Sequence, residues 1–287
     1  MPAEVITSRA NPLVRKVRRL RQGQGREPGL LLLDSPHLVE EALVAGIPLP
    51  VILFTPAFSM RPAGRELLER CRQAAESGGL AQELRAVSPE IMRELVTTET
   101  PAGVVAVARW DQDEAGRERF WSTVKEHSAD EPPFLVVADA IQDPGNLGTI
   151  FRTAAAAGAQ GVVVTPGTVA PTNLKVLRAS AGALFRLPWV KLRPEELESA
   201  LQRLDIPLYV AESHGELVYD EVDWTGPVAV AAGNEGQGPS EALRRMARAT
   251  VAIPLANQVE SLNAAVAAAI LMYEVVRQRR QRGQLPR

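Results

Sequence analysis

Apolar positions along the chain follow two periods. Short apolar runs bounded by Gly, Pro or polar clusters read as buried strands: Leu30–Leu33, Val51–Thr55, Leu84–Val87, Val104–Ala108, Phe134–Ala138, Gly161–Thr165 and Leu208–Ala211. Two more strands open the stretches Pro227–Ser240 and Val251–Glu274. Between them, apolar residues at helical spacing predict helices over Asn11–Leu20, Pro36–Ala45, Arg65–Glu76, Pro89–Val96, Glu195–Leu204, Ser240–Ala247 and Ala264–Val276. The alternation predicts an α/β protein with a mostly parallel sheet in its second half.

The polar interruptions divide the chain. A basic arm spans 1–29, closed by the glycine-rich break Gly23–Gly29, and a small α/β domain follows over 30–110. Residues 111–132 are charged and run into Glu131-Pro132-Pro133, a linker pattern with room for a helix around Arg117–Lys125. The second domain occupies 133–287. With 287 residues, 46 % of them hydrophobic, the chain can fill two cores.

Three strands of the second domain end in loops rich in Gly and Asn, the place where open α/β sheets collect ligands. After Phe134–Ala138 come Asp143, Pro144, Gly145, Asn146 and Gly148, read as a polar turn, and then a small-residue helix carrying Arg152. A lone Arg there suits a snorkelling or ion-paired cation as well as a functional one. The second loop is Gly233-Asn234-Glu235-Gly236-Gln237-Gly238, and the third is Ile253-Pro254-Leu255-Ala256-Asn257-Gln258 leading to Ser261, Leu262 and Asn263. No Gly-x-Gly-x-Gly follows an early strand, which argues against an ordinary doubly wound nucleotide-binding fold, and no Gly-Lys-Ser/Thr follows Gly145–Gly148, which argues against a phosphate loop.

These segments, in this order, resemble the three motifs of the SpoU (TrmH) family of RNA ribose 2'-O-methyltransferases, members of the SPOUT superfamily. The resemblance covers Phe134–Arg280 and includes Lys175–Gly182. It implies a trefoil knot, S-adenosylmethionine as cofactor, a homodimer and an RNA substrate, with large-subunit (23S) ribosomal RNA foremost and transfer RNA the alternative. A non-catalytic RNA-binding protein of the same fold is the other alternative. The resemblance puts Asn146, Arg152, Glu235, Ser261 and Asn263 on catalytic positions. Gly233, Asn234, Gly236, Ile253, Leu255, Ser261 and Leu262 fall on the cofactor side. Where the family usually has Gly after the Ile-Pro strand end, this chain has Asn257, the residue type other than Gly that best tolerates positive φ. The first domain resembles the family's substrate-presenting domain, which is similar to a small RNA-binding ribosomal-protein fold, with Asp34-Ser35 where Glu-Gly is usual.

Charge adds one feature. The net charge is only −2, yet residues 1–26 carry seven basic side chains against Glu4, and residues 275–287 carry five arginines and no acid. Arg15, Lys16, Arg18 and Arg19, with Lys175 and Arg178 in the second domain, are candidate phosphate contacts, and a solvated basic helix face is the competing reading. Cys71 is the lone cysteine, and His37, His127 and His214 are far apart in sequence, so no metal is expected. Without a run of about 18 apolar residues or a signal-peptide core, the expectation is a soluble, cytoplasmic protein with no membrane partner.

Overall fold

The computed structural model describes residues 5–22, 29–78, 81–98, 100–110, 114–127 and 132–284. Residues 23–28, Arg26 among them, and Glu131 lie outside these. The chain divides into two compact units, Met1–Gln112 and Asp113–Arg287.

In the first unit the order is β1 (Val5–Ile6), α1 (Pro12–Arg21), β2 (Leu30–Leu33), α2 (Pro36–Val44), β3 (Leu49–Phe54), α3 (Pro56–Met60), α4 (Pro62–Gly78), β4 (Ala81–Val87), α5 (Pro89–Leu95) and β5 (Val104–Arg109). The strands make a mixed five-stranded sheet in the order β1-β4-β3-β5-β2. Side-chain caps from Asn11, Ser35, Thr55 and Ser88, each followed by Pro at the first helical position, start α1, α2, α3 and α5. Asp34, buried beside that Ser35 cap, accepts a hydrogen bond from Thr97 Oγ1 at 3.5 Å.

The basic segment is not a separate arm. β1 pairs in parallel with β4, and α1 buries Val14 and Val17. The cations are also partly committed: Arg9 bridges Glu94, Arg18 lies 3.9 Å from the same carboxylate, and Arg21 donates to the Glu94 carbonyl at 2.8 Å. Arg15 and Arg19 remain exposed. Helix-face apolar residues thus fasten the segment to the sheet, a role its high charge obscured.

The second unit continues with α6 (Glu114–His127), β6 (Phe134–Ala138), α7 (Pro144–Ala156), β7 (Gly161–Val164), α8 (Leu174–Ala179), α9 (Ala183–Arg186), β8 (Trp189–Lys191), α10 (Pro194–Arg203), β9 (Leu208–Ala211), β10 (Leu217–Val218), β11 (Val228–Ala232), α11 (Glu241–Met246), β12 (Ala249–Ala252) and α12 (Ala264–Gln281). Its seven strands are ordered β10-β12-β9-β11-β6-β7-β8, and every pairing is parallel. β6, β7 and β11 are buried throughout, which is why they read as unbroken apolar runs. The stretch expected to be a linker contains α6, whose Phe120 and Val124 belong to this unit's core.

The polar turn expected at 143–148 is instead the opening of a helix. Asp143 caps α7 by accepting from the Asn146 amide at 2.8 Å, and Pro144 takes the first helical position. Gly148 serves helix packing: a Cβ there would lie 2.4 Å from Ala179 Cβ and 2.8 Å from the Val176 carbonyl oxygen, so only Gly lets α8 approach α7 this closely.

Candidate active site

Because the sheet is parallel, the loops after β6, β9, β11 and β12 share one edge. Asp139, buried at the end of β6, ties two neighbours together by accepting from Thr165 Oγ1 at 2.6 Å and from the Ser240 amide at 2.7 Å. Asn234 ties a third: its Nδ2 donates to the Ala140 carbonyl at 2.9 Å, while its Oδ1 accepts from the amides of Gly236 and Gln237 at 2.9 and 3.0 Å. Ala140 is held at φ 53°, in the left-handed region that costs a residue with a Cβ roughly 1–2 kcal/mol. Bonds from two sides hold it there.

On this edge Asn146, Glu235 and Asn263 form one hydrogen-bonded chain. Asn263 caps α12, its Oδ1 accepting from the amides of Ala265 and Val266 at 2.9 and 3.2 Å. That fixes its Nδ2 as the donor to Asn146 Oδ1 at 2.8 Å. The Asn146 amide is thereby oriented too, and its Nδ2 donates to Glu235 Oε1 at 2.8 Å. Glu235 also accepts from the amides of Gln142 and Asp143, both at 3.3 Å. Asn263 is therefore both a helix cap and a member of the polar chain.

Partial burial raises the proton affinity of Glu235, but the hydrogen bonds from Asn146, its own backbone, Gln142 and Asp143 outweigh it and hold the carboxyl below its ordinary value of 4.5. A pKa depressed in the folded state contributes stability above the unfolded value and loses it as pH falls through the folded one. Urea unfolding should show the native chain more stable than Glu235→Gln at pH 7, with the gap closing below pH 4.5. A gap independent of pH would mean that the charge of Glu235 is not what these donors hold.

Next to this chain lies a cavity of about 360 Å³. Gly233, Asn234 and Gly236 form one wall of it, and Ile253, Leu255, Ser261 and Leu262 another. Asn257 sits at φ 55°, and Gln258 follows at φ 58°, so the third loop makes its turn without glycine. A further wall comes from Glu212, His214 and Arg244, which motif reading missed. The signal was present, since Glu212 follows the strand run Leu208–Ala211 at the same edge.

Arg152 is exposed on α7, and among the described residues it has no hydrogen bond or ion pair. Glu235 thus holds Asn146 and not Arg152. Lys175 is exposed on α8, the helix packed on α7, whereas Arg178 and Lys16 have partners. Among the described residues no cluster of three or more His, Cys, Asp or Glu could hold a metal ion, and no helix is long and apolar enough to cross a membrane.

Comparison with known proteins gives this edge a family. Residues 133–273 match the model of the SpoU rRNA Methylase family, and residues 11–106 match the MRM3-like substrate binding domain. A Synechocystis protein named as an uncharacterized tRNA/rRNA methyltransferase is 38 % identical over 95 % of this chain and 93 % of its own. This chain belongs to the SpoU rRNA methylase family. A Bacillus subtilis relative, RlmP, named a 23S rRNA (guanosine(2553)-2'-O)-methyltransferase, is 31 % identical over 94 % of this chain and 98 % of its own. The crystal structure of the SpoU methyltransferase AviRb from Streptomyces viridochromogenes with AdoMet has a TM-score of 0.78 at 30 % identity, covering 94 % of this chain and 98 % of that one.

SpoU enzymes are dependent on S-adenosylmethionine, and the cavity suits that molecule. Its volume falls within the range of about 300–1,000 Å³ usual for small-ligand sites. The apolar residues Ile253, Leu255 and Leu262 line it from one side and the glycine-rich loop lines it from another, a combination that accommodates a flat base beside polar edges.

Proposed function

We propose that this SpoU methyltransferase transfers a methyl group from S-adenosylmethionine to a ribose 2'-oxygen of large-subunit (23S) ribosomal RNA. The observation that carries this reading is the bonded chain Asn263–Asn146–Glu235 beside a nucleoside-sized cavity. The names of RlmP and of a Streptomyces viridochromogenes 23S rRNA (uridine(2479)-2'-O)-methyltransferase, 34 % identical over 88 % of this chain, support the RNA.

When bound, the cofactor supplies an electrophilic methyl on a sulfonium. The chain's own part is to present the hydroxyl in line and stabilise charge as it loses its proton. Asn146 has one amide proton on Glu235 and its oxygen on Asn263, so its second amide proton and second lone pair are left to orient substrate. Glu235, already an acceptor for several donors, acts by orientation and not by taking the proton. A guanidinium, with a pKa above about 12, is a poor base, so Arg152 grips the RNA phosphate and stabilises negative charge on the 2'-oxygen while the proton passes to water. Ser261 with Gly233, Asn234, Gly236, Ile253, Leu255 and Leu262 holds the cofactor, and Arg15, Arg19 and Lys175 meet RNA phosphates.

The reading includes a cytoplasmic location, the family's trefoil-knotted path and a homodimer. On the last helix Ala265 and Ala268 are buried within the chain, while Ala264, Ala267 and Ala269 are half-buried. Val266 and Tyr273, seven residues apart and 47 % and 50 % exposed, offer a face for a second copy. Light scattering should give about twice 31.0 kDa at micromolar concentration, and a species of 31.0 kDa would remove the dimer from the reading.

Alkaline cleavage tests the product. A 2'-O-methyl blocks attack on the adjoining phosphodiester, so RNA from cells with the gene should show one protected bond in large-subunit ribosomal RNA that is absent without it. Protection in transfer RNA would overturn the substrate alone. A methylated base with an unprotected ladder would overturn ribose chemistry.

A further inference from the structure

The third wall of the cavity has no role in the reading so far. Its Glu212 and His214 come from the loop after β9 and its Arg244 from α11, and β9 lies between β11 and β12, whose loops make the other two walls. We infer that Glu212 is the acceptor for the ribose hydroxyls of the cofactor, the residue that selects an adenosine with a free diol. This rests on the reading of the cavity as the S-adenosylmethionine site.

The geometry isolates one carboxylate oxygen. Arg244, at the cavity wall, directs Nε at 3.0 Å and Nη2 at 2.9 Å onto the same atom, Glu212 Oε1. Among the described residues Oε2 has no partner. An ionised carboxylate is purely an acceptor with room on both oxygens, so the Arg244 fork fixes the plane and leaves Oε2 for a donor. A sugar diol consists of such donors, whereas a phosphate on either hydroxyl would meet a like charge.

The backbone beneath Glu212 is also fixed. Its amide donates to the Val251 carbonyl at 3.0 Å, and the Glu216 amide donates to Thr250 Oγ1 at 3.1 Å. Between them Gly215 presses on β12 so closely that a Cβ would lie 2.5 Å from the Ala252 nitrogen. These contacts fix the backbone from which the side chain extends, the Arg244 fork orients its carboxylate, and preorganised acceptors discriminate best.

Calorimetry on the full chain with S-adenosylhomocysteine and with its 2'-deoxy and 3'-deoxy counterparts tests this. A hydrogen bond to a charged group corresponds to roughly 10- to 150-fold in affinity, so the native chain should lose about that factor when the hydroxyl is removed. Glu212→Ala should bind S-adenosylhomocysteine more weakly by a similar factor and then distinguish the deoxy ligands by less than about threefold, with Glu212→Gln between the two. If Glu212→Ala weakens all three ligands equally and keeps the native discrimination, Glu212 only supports the loop and the inference falls. If the native chain gives no heat with S-adenosylhomocysteine, the cofactor reading itself falls, a separate outcome.

Discussion

Replacing Arg152 by alanine is expected to lower methyl transfer by about a thousandfold while S-adenosylmethionine affinity stays within a few-fold, the loss typical of removing a group that stabilises transition-state charge. The split follows from where the residue sits. Arg152 is exposed on α7, has no partner among the described residues and does not line the cavity, so neither fold nor cofactor should depend on it. Arg152→Lys keeps the charge but loses the planar fork, and recovers only part of the rate if phosphate is gripped through two nitrogens. Single-turnover kinetics with saturating RNA, alongside calorimetry, reads both quantities. Near-native turnover in Arg152→Ala would remove the residue from the mechanism.

Gly233→Ala should have the opposite signature, with cofactor binding lost first. A Cβ at position 233 would lie 2.2 Å from the Pro239 nitrogen and 2.6 Å from the Gly238 carbonyl carbon, both backbone, so no side chain can rotate out of the way. The loop must open, and with it the Asn234 bond to Ala140 and the wall of the cavity. Affinity for S-adenosylhomocysteine should fall more than a hundredfold, and overpacking should cost about 1–3 kcal/mol of stability. Gly236→Ala is the control, because its Cβ would meet only Asn234 Oδ1 at 3.7 Å. Calorimetry and thermal melting compare the two. Equal effects would mean that loop exposure, and not the clash at 233, sets the outcome.

Much of the catalytic unit was legible because parallel strands buried on both faces leave continuous apolar runs, and their ends mark the ligand edge. Phe134–Ala138 and Leu208–Ala211 were read to the residue. Shorter elements left no period to read: β8 has three residues and β10 two. Where one property masked another, the reading went astray. Charge hid the buried Phe120 of α6, and glycine content hid the helix that Asp143 and Pro144 begin. Asn146, Glu235 and Asn263 could be singled out one by one from the sequence, but their hydrogen-bonded network could not be read from it. Asn146 meets Glu235 across 89 residues and Asn263 across 117, and such pairings depend on topology, which spacing does not encode. Motif resemblance also passed over Glu212 and Arg244, which belong to none of the three loops quoted for it.

Arg279 has a consequence for the timing of synthesis. Buried in α12, it donates to the carbonyls of Pro132 and Pro133, which lead into β6, and to those of Trp224 and Gly226 before β11, with its guanidinium 5.5 Å from the Phe134 ring. The same helix supplies Asn263 at its other end. On the ribosome, the substrate-binding unit has all its strands once residue 109 is made and can fold while translation continues. The catalytic unit lacks the Arg279 tie to the entry of its first strand until residue 279 emerges. A nascent chain stalled between those points would hold a complete substrate-binding sheet and a catalytic unit still missing its complete last helix and the ties that Arg279 makes.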